Sequence, residues 1–532
     1  MLSFKKYHLS LLKKHGQCCI LTTQQFYSGD SMSIVKNVFF TSLTALFVVM
    51  STGCSSTDPS TGSYNSAAVY DRPLYSTIAR NSMSYEGIYR NPVIVVHGFL
   101  GARLKSTTTG DTVWGNITGR ETVSGFADYQ LRQLALPMAQ GKTLKELKDH
   151  IYASELLESF TVRVLGMEFN VNAYNKMLDM LRNAGYNQEG KPLPKNKHFY
   201  SLFTFYYDWR RDIPENAARL HEFILQKRAY LQQEYKKLYG IDNYNVQFDV
   251  IAHSMGGMVS RYYLRYGNQD LPADGSMPKL DWFGSNYIDK LIVVGTPNAG
   301  YLDTFVELTG GLQIDPDAPV LPPAVIGTFP TYYQMLPLTS TRSVVYSDDP
   351  KGKAVDLFDP QIWIKNKWGL AGTDNDDVLK KMMPDVKTPM ERRAIALDHL
   401  AKCLKRARQF TDALRVDAIP PDDVNLYLFL GDAVPTRRAA AVNRDTGLFQ
   451  ITDFEAGDGK VLASSARLDE REGRKWTPFM QSPIKWQTVV HLNAAHMGIT
   501  LSQEFADNVV FFLLENPTKA QQLSMKKYQA NQ

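Results

Sequence analysis

The stretch richest in chemistry runs from Asn245 to Tyr266, NVQFDVIAHSMGGMVSRYYLRY, with the AHSMGG core at Ala252 to Gly257. Its hydrophobic period changes midway. Val246, Phe248, Val250 and Ile251 read as a buried strand, whereas Met258, Tyr262 and Tyr263 recur at helical spacing. Only His253-Ser254-Met255-Gly256-Gly257 joins the two, too short a stretch for a loop. A serine on so sharp a strand-to-helix turn presents its hydroxyl above the sheet edge. Small residues two before and two after it let strand and helix pass closely; here these are Ala252 and Gly256. The chemistry implied is nucleophilic attack. A serine hydroxyl is a weak nucleophile, so it needs a histidine to take its proton and a carboxylate to orient that histidine. The plainer alternative is a serine in an ordinary turn, and the rest of the chain has to decide between them.

The elements that would position these groups follow from the apolar runs. Pro92 to Val96 is a continuous apolar run ending in His97-Gly98-Phe99-Leu100-Gly101, as expected of a central parallel strand. Its glycine-rich exit would set backbone N–H groups at the strand's carboxyl end, where open α/β sheets bind ligands. Trp114-Gly115-Asn116 reads as part of a loop, and Thr143 to Phe160 and Asn172 to Ala184 read as helices, the second stopped by Gly185. A strand at Tyr200 to Tyr206 leads into YDWRR. A long amphipathic helix spans Pro214 to Tyr239, with proline near its start and Gly240 at its stop. Tyr287 to Val294 is another buried strand, running into GTPNAG. Residues 301–422 lose the strand rhythm, being proline-rich early (Pro316, Pro319, Pro322, Pro323) and helical from Arg392 to Leu414. They are read as a helical cap or lid inserted into the core. Their Phe329, Tyr332, Tyr333, Trp363 and Trp368 would either line an acyl groove or form the cap's own core. Strands resume at Val424 to Leu430, near Leu448 to Ile451 and at Val489 to Leu492, before a last helix at Gln503 to Glu515. This is the rhythm of an α/β protein with a mostly parallel, doubly wound sheet. Its core is expected at 86–300 and 423–520.

A strand–turn–helix of this kind resembles the nucleophile elbow of α/β-hydrolases. That resemblance implies the chain order serine, then aspartate or glutamate, then histidine. Three histidines follow Ser254. His399 lies in DHLAKCLKRARQF and reads as a surface position. His491 follows two valines inside a strand and reads as packed. His496, in Ala494-Ala495-His496-Met497-Gly498, lies on a loop after that strand, where the fold puts its base. His496 is favoured, with His491 the alternative. For the acid, Asp458 in EAGDGKV is flanked by glycines that expose its carboxylate and let backbone N–H groups approach. Asp432, directly after the strand ending at Leu430, is the alternative. By the same resemblance, the residues after HG and after the nucleophile, Phe99 and Met255, donate the oxyanion-hole N–H groups, each worth about 3 kcal/mol.

With these pieces assembled, residues 90–515 resemble the lecithin:cholesterol acyltransferase family of lipases and acyltransferases. The resemblance rests on HGFLGARL, on YDWR at Tyr207 to Arg210, and on AHSMGG. GTPNAG at Gly295, TFPTYYQMLP at Thr328 to Pro337, GDAVPT at Gly431, GDGKV at Gly457 and AHMGIT at Ala495 follow in family order. In the family, the turn that GDAVPT resembles precedes the catalytic aspartate, which favours Asp458 over Asp432. The chain departs from the family at His97, where eukaryotic members commonly have proline, and it has no cysteine pair near Trp114. The resemblance implies a serine lipase or phospholipase that cleaves lipid esters, and no metal or organic cofactor. Two rivals stand beside it. One is an acyltransferase using the same residues, with an alcohol as acceptor. The other is a non-catalytic surface lipoprotein that keeps the fold for binding.

Composition narrows the classes further. The 532 residues carry a formal charge of +5, but residues 1–53 hold five lysines against Asp30 alone. The remainder has 54 basic and 53 acidic residues, without the basic face a nucleic-acid binder needs. Nucleic-acid binding is therefore disfavoured. The four cysteines, Cys18, Cys19, Cys54 and Cys403, form no C-x-x-C pair, so a zinc ribbon is unsupported. Residues 1–53 read as an export leader whose true start is Met32. A short positive segment with Lys36 precedes an apolar core from Val38 to Met50, too short for a membrane span of about 20 residues. Ser51-Thr52-Gly53-Cys54 resembles a bacterial lipoprotein box, which implies that Cys54 is lipidated and tethers the protein to an outer membrane or cell surface. A plain secreted protein is the alternative. Residues 54–85 are expected to be a flexible polar tether.

Overall fold

The computed structural model describes residues 77–115, 128–164, 167–172, 174–313, 319–471 and 476–530. The leader, Cys54, most of the expected tether, Asn116 and Pro316 lie outside the described residues. Six strands form the central sheet: β1 (Val93–Val96), β2 (Leu202–Phe205), β3 (Phe248–His253), β4 (Ile288–Val294), β5 (Asn425–Gly431) and β6 (Thr488–Leu492). Their order is β6-β5-β4-β3-β1-β2, and every neighbouring pair is parallel. All residues of β1, β3 and β4 are buried, because a parallel sheet is covered on both faces.

Successive side chains on a strand point to opposite faces, and the core divides accordingly. Ile94, Val96, Phe203, Val250, Leu291 and Leu428 share one apolar cluster, whereas Val93, Val95, Leu202, Ile251, Ile292 and Phe429 share the other. Among the described residues, four helices cover the sheet: α1 (Asn175–Asn183), α2 (Ile213–Tyr239), α3 (Met255–Tyr266) and, after a further helix α4 (Pro389–Arg415), α5 (Gln503–Leu514). Helices α2 and α3 supply Leu220, Ile224, Met258 and Tyr262 to the first cluster, while α1 and α5 supply Leu178, Leu181, Phe505 and Val509 to the second. The ends of α2 are as the sequence implies, with proline in its first turn and Gly240 left-handed at φ 69°. From β1 the chain moves outward to β2, then returns across β1 to start β3. The sheet thus changes winding direction between β1 and β3, and crevices for ligands open at the carboxyl ends of strands at such a point.

Two expectations are corrected. Residues 143–160 are not a helix: turns lead into strands Ile151–Leu156 and Ser159–Val164. Ile151–Leu156 pairs antiparallel with Ala102–Ser106, a partner supplied from about 50 residues away, and that ladder overrides local helix preference. The strand beginning at Phe449 does not join the central sheet. Phe449–Gly457 forms an antiparallel hairpin with Val434–Val442, and Val344–Tyr346 pairs with the outer side of Val434–Val442 to complete a separate three-stranded sheet.

Among the described residues, no strand of the central sheet comes from between Val294 and Asn425, a stretch dominated by short helices and α4. Its Phe329, Tyr332, Tyr333 and Trp363 are wholly or almost wholly buried, and they extend the same cluster as Trp209 and β1. Those aromatics are core.

Candidate active site

Ser254 joins β3 to α3 at φ 54° and ψ −127°, a region that costs a non-glycine residue about 1–3 kcal/mol. Its surroundings hold it there. The Ser254 N–H donates to Val294 O at the end of β4 (2.7 Å), and the Thr296 hydroxyl donates to Ser254 O (2.7 Å). Missing side chains provide the close approach. A Cβ on Gly256 would lie 2.4 Å from His97 O, one on Gly257 2.0 Å from Thr296 Oγ1, and one on Gly98 2.7 Å from Ser254 Cβ. Ala252, by contrast, is wholly buried and packs into the core.

The loop after β6 brings His496 to this serine. Its Nε2 lies 3.0 Å from Ser254 Oγ, and its Nδ1 lies 2.7 Å from Asp458 Oδ2. Asp458 follows the strand Phe449–Gly457 and is 2% exposed. Its other oxygen, Oδ1, accepts the backbone N–H groups of Lys460 (2.9 Å) and Val461 (2.6 Å). A main-chain bond from His496 N to Asp458 O (2.8 Å) locks the two loops together. Burial pushes the Asp458 carboxyl up, but the His496 charge and hydrogen bond, with the Val461 and Lys460 amides, outweigh it. They hold the group below the usual carboxylate range. Gly295 beside this pair is left-handed (φ 55°): a Cβ there would only touch Asp458 Oδ2 and His496 Cε1, at 3.4 Å, so the backbone conformation rather than space calls for glycine.

The exit of β1 faces the serine from the other side. Wholly buried His97 stacks on Tyr207 with ring centroids 4.2 Å apart. Its Nε2 accepts the Tyr207 N–H (3.2 Å), so Nδ1 carries the proton and donates to Gly98 O (2.7 Å). Burial lowers its pKa to about 4, leaving the ring neutral. The Tyr207 hydroxyl donates back to His97 O (2.7 Å). Phe99 lays its ring 4.9 Å from those of both Trp209 and Tyr332. Met255 is the first residue of α3, and its N–H therefore has no acceptor within the helix.

The residues read as alternatives fall elsewhere. Asp432 and His491 pair with each other (Oδ2–Nδ1 2.6 Å), half-exposed at the sheet edge. His491 is therefore not packed as the sequence suggests, because β6 is an edge strand with one side open. His399 is not at the surface. It is 1% exposed, its Nε2 donates to Thr328 O (3.0 Å), and burial lowers its pKa to about 4. The face of α4 that carries it is buried in the core.

Sequence reasoning missed three supports. Thr296 lies within the GTPNAG motif, which could have flagged it. The ammonium of Lys460 reaches Asp303 (3.0 Å) and Glu307 (3.1 Å), tying the Asp458 turn to the helix Leu302–Gly310. The Tyr174 hydroxyl accepts the Gly98 N–H (2.8 Å) from 76 positions away, and no local pattern marks it. Within YDWR, buried Arg210 bonds Asp208 (2.7 Å) and Asp149 (2.8 Å), while Trp209 Nε1 donates to Ala102 O (3.1 Å). That fixes the ring beneath Phe99. Among the described residues, no group of three or more His, Cys, Asp or Glu side chains could hold a metal ion.

Comparison with known proteins agrees with this architecture. Residues 152–367 match the lecithin:cholesterol acyltransferase family, a span that contains Ser254 and stops before Asp458 and His496. The lysosomal phospholipase A and acyltransferase of Bos taurus is 25% identical over 239 residues, covering 42% of this chain and 51% of that protein. Its counterpart from Canis lupus familiaris is 25% identical over 242 residues with the same shares. The chain thus spans about half the length of these relatives. Among solved structures, the Tle4-Tli4 complex aligns with 80% of this chain and 98% of that one, with a TM-score of 0.50 at 14% identity, a likeness of fold. The chain has the α/β-hydrolase fold, and through residues 152–367 it shows the lecithin:cholesterol acyltransferase family resemblance read from its sequence.

Proposed function

We propose that the protein is an exported serine hydrolase that cleaves carboxylic ester bonds of lipids. The observation that carries this reading is the unbroken path Ser254 Oγ–His496 Nε2 (3.0 Å), His496 Nδ1–Asp458 Oδ2 (2.7 Å). Ser254 Oγ attacks the ester carbonyl while His496 Nε2 takes its proton, and Asp458 holds the ring and offsets the imidazolium charge. The N–H groups of Phe99 and Met255 receive the oxyanion, each contributing about 3 kcal/mol to the barrier reduction. Collapse of the tetrahedral intermediate breaks the C–O bond, and His496 returns the proton to the leaving alcohol. Water, deprotonated by His496, then cleaves the acyl-enzyme and regenerates Ser254. Residues 301–422, on this reading, form the cap beside the site. The lipoprotein box argues for export and a tether through lipidated Cys54.

The family match and the named activities of the relatives favour a second reading, in which an alcohol replaces water as acyl acceptor. The test is fluorophosphonate labelling of one sample and, on a separate unlabelled sample, incubation with acyl-labelled phospholipid, with and without a long-chain alcohol. Wild type is expected to label and release fatty acid, and Ser254→Ala to do neither. Wild type that does not label would refute the enzyme reading in favour of a binding lipoprotein. Acylated alcohol in excess of fatty acid would replace hydrolysis by transfer. The mass of the mature N-terminus reads out the tether, since an unmodified Cys54 excludes it.

A further inference from the structure

Next to the nucleophile, on the opposite side from α3, lies a second buried histidine that the mechanism above does not use. His253 is 1% exposed, and its ring centroid is 5.0 Å from that of His496. Tyr174, 2% exposed, stands at the start of α1 with its hydroxyl 3.1 Å from His253 Nδ1 and 2.8 Å from Gly98 N. The Gly98 N–H can only donate, so the tyrosine oxygen accepts it and the O–H proton is free to point at His253 Nδ1. Burial raises the phenol's pKa, which keeps that proton in place. His253 then carries its own proton on Nε2. This atom is buried without a hydrogen-bond partner. Burial, with the nearby His496 second, lowers the pKa of His253 to about 3. The ring is thus a neutral neighbour of the imidazolium that forms on His496, where a second cation would oppose it.

We propose that Tyr174 and His253 are positioning residues, a buried relay from Gly98 N–H through the tyrosine hydroxyl to the histidine ring that sets the oxyanion turn in register with the base. This rests on the hydrolase reading above. The relay touches no substrate atom. It fixes the His97–Gly98 peptide, one unit before the peptide that carries the Phe99 N–H; that N–H must meet the developing oxyanion, and a donor displaced from that point loses most of its effect. Gly98 has no room to shift toward the serine, since a Cβ on it would already be 2.7 Å from Ser254 Cβ and 3.3 Å from His253 Nδ1. Without the tyrosine oxygen, its amide proton would be buried without an acceptor and the turn would relax away.

The test compares Tyr174→Phe, His253→Asn and His253→Leu with wild type on a soluble acyl ester, with rates expressed per fluorophosphonate-titrated site so that misfolded protein drops out. Tyr174→Phe is expected to lower kcat about tenfold, a partial loss of one donor, with KM within twofold. It should also move the phosphorus NMR shift of the Ser254 phosphonate adduct, which reports the hydrogen bonds to the oxyanion. Asparagine at 253 retains an acceptor near the Nδ1 position and should keep most of the rate. Leucine should match Tyr174→Phe, and Tyr174→Phe/His253→Leu should be no slower than either single variant. Wild-type kcat and phosphorus shift in Tyr174→Phe would overturn the relay while leaving the hydrolase reading intact, as would equal rates for asparagine and leucine at 253. A wild-type protein that takes up no phosphonate would instead refute the hydrolase reading and, with it, the relay.

Discussion

Gly256→Ala isolates what the close approach of α3 to β1 contributes. The added methyl carbon would stand 2.4 Å from His97 O and 2.8 Å from Val96 O, both main-chain atoms. Ordinary contact begins at 3.4 Å, so helix and strand must part by about 1 Å, and no flexible side chain can absorb the shift. The carbonyls belong to the β1 exit, so the separation opens directly between Ser254 and the turn carrying Phe99. A displacement of about 1 Å at reacting groups costs about 100-fold in rate, equivalent to about 2.7 kcal/mol of barrier. Overpacking should also lower folding stability by about 1–3 kcal/mol. The assay is kcat/KM on a chromogenic acyl ester, with titrated sites as denominator, beside urea unfolding. Activity within threefold of wild type would refute the claim that this contact sets the geometry. Ala252→Gly is the control, because that position already tolerates a methyl, and it should change kcat/KM by less than threefold.

Three further variants probe the site and its surroundings. Asp458→Asn should lower kcat about 10⁴-fold, since the amide favours the wrong imidazole tautomer. The native pKa of Asp458 lies below its unfolded value, so its stabilisation is fully present above about pH 5 and drains away as pH falls through the native value. The stability gap between wild type and Asp458→Asn, measured by denaturant unfolding, should therefore close in acid. His399 weakens the fold in acid in the same direction, but by refusing a charge rather than by losing one. Its pKa falls from an ordinary 6.5 to about 4 on folding, so the unfolded chain binds the extra proton between those values and stability drops as pH falls. In His399→Gln the unfolding free energy should lose up to about 1.4 kcal/mol of its dependence per pH unit over that window. His491→Asn should leave kcat within twofold of wild type, because His491 pairs with Asp432 rather than with Ser254. A loss comparable to that of His496→Asn would contradict the assignment of the base.

The features legible in the sequence are those whose physical requirement is local. The strained turn at Ser254, the glycine that must follow two residues later, and the apolar runs of β1, β3 and β4 each announce themselves within about ten residues. Asp458 and His496 were legible at one remove, through glycines and loops at strand exits, because chain order narrowed the choice. What escaped depended on partners far along the chain. Residues 151–156 carry helix-compatible residues, and only the ladder with Ala102–Ser106 makes them a strand. The sequence of α4 reads as charged and therefore exposed. Its buried face, with His399, Leu400, Cys403 and Leu404, is set by the tertiary packing of the helix into the core. His491 misled in the reverse direction, because two valines before it imitate a covered strand and edge position cannot be read from six residues. The Tyr174–Gly98 bond has no sequence signature, since its two ends share no period or motif.

The position of β6 at the outer edge of the sheet has a consequence in time. The proposed base, His496, arrives on the loop that follows this strand, 242 positions after the serine it contacts. The strands from β1 to β4 can assemble with the serine already bent into its turn, yet the hydroxyl then has no proton acceptor at its side. Chains emerge from the ribosome amino end first, so the nucleophile is made long before the histidine. Until residues 488–496 have been made and β6 has docked on β5, this reading leaves Ser254 inert toward esters. If the proposed activity holds, the cell that makes the protein is spared a working lipid-cleaving site for as long as the chain is unfinished or held unfolded.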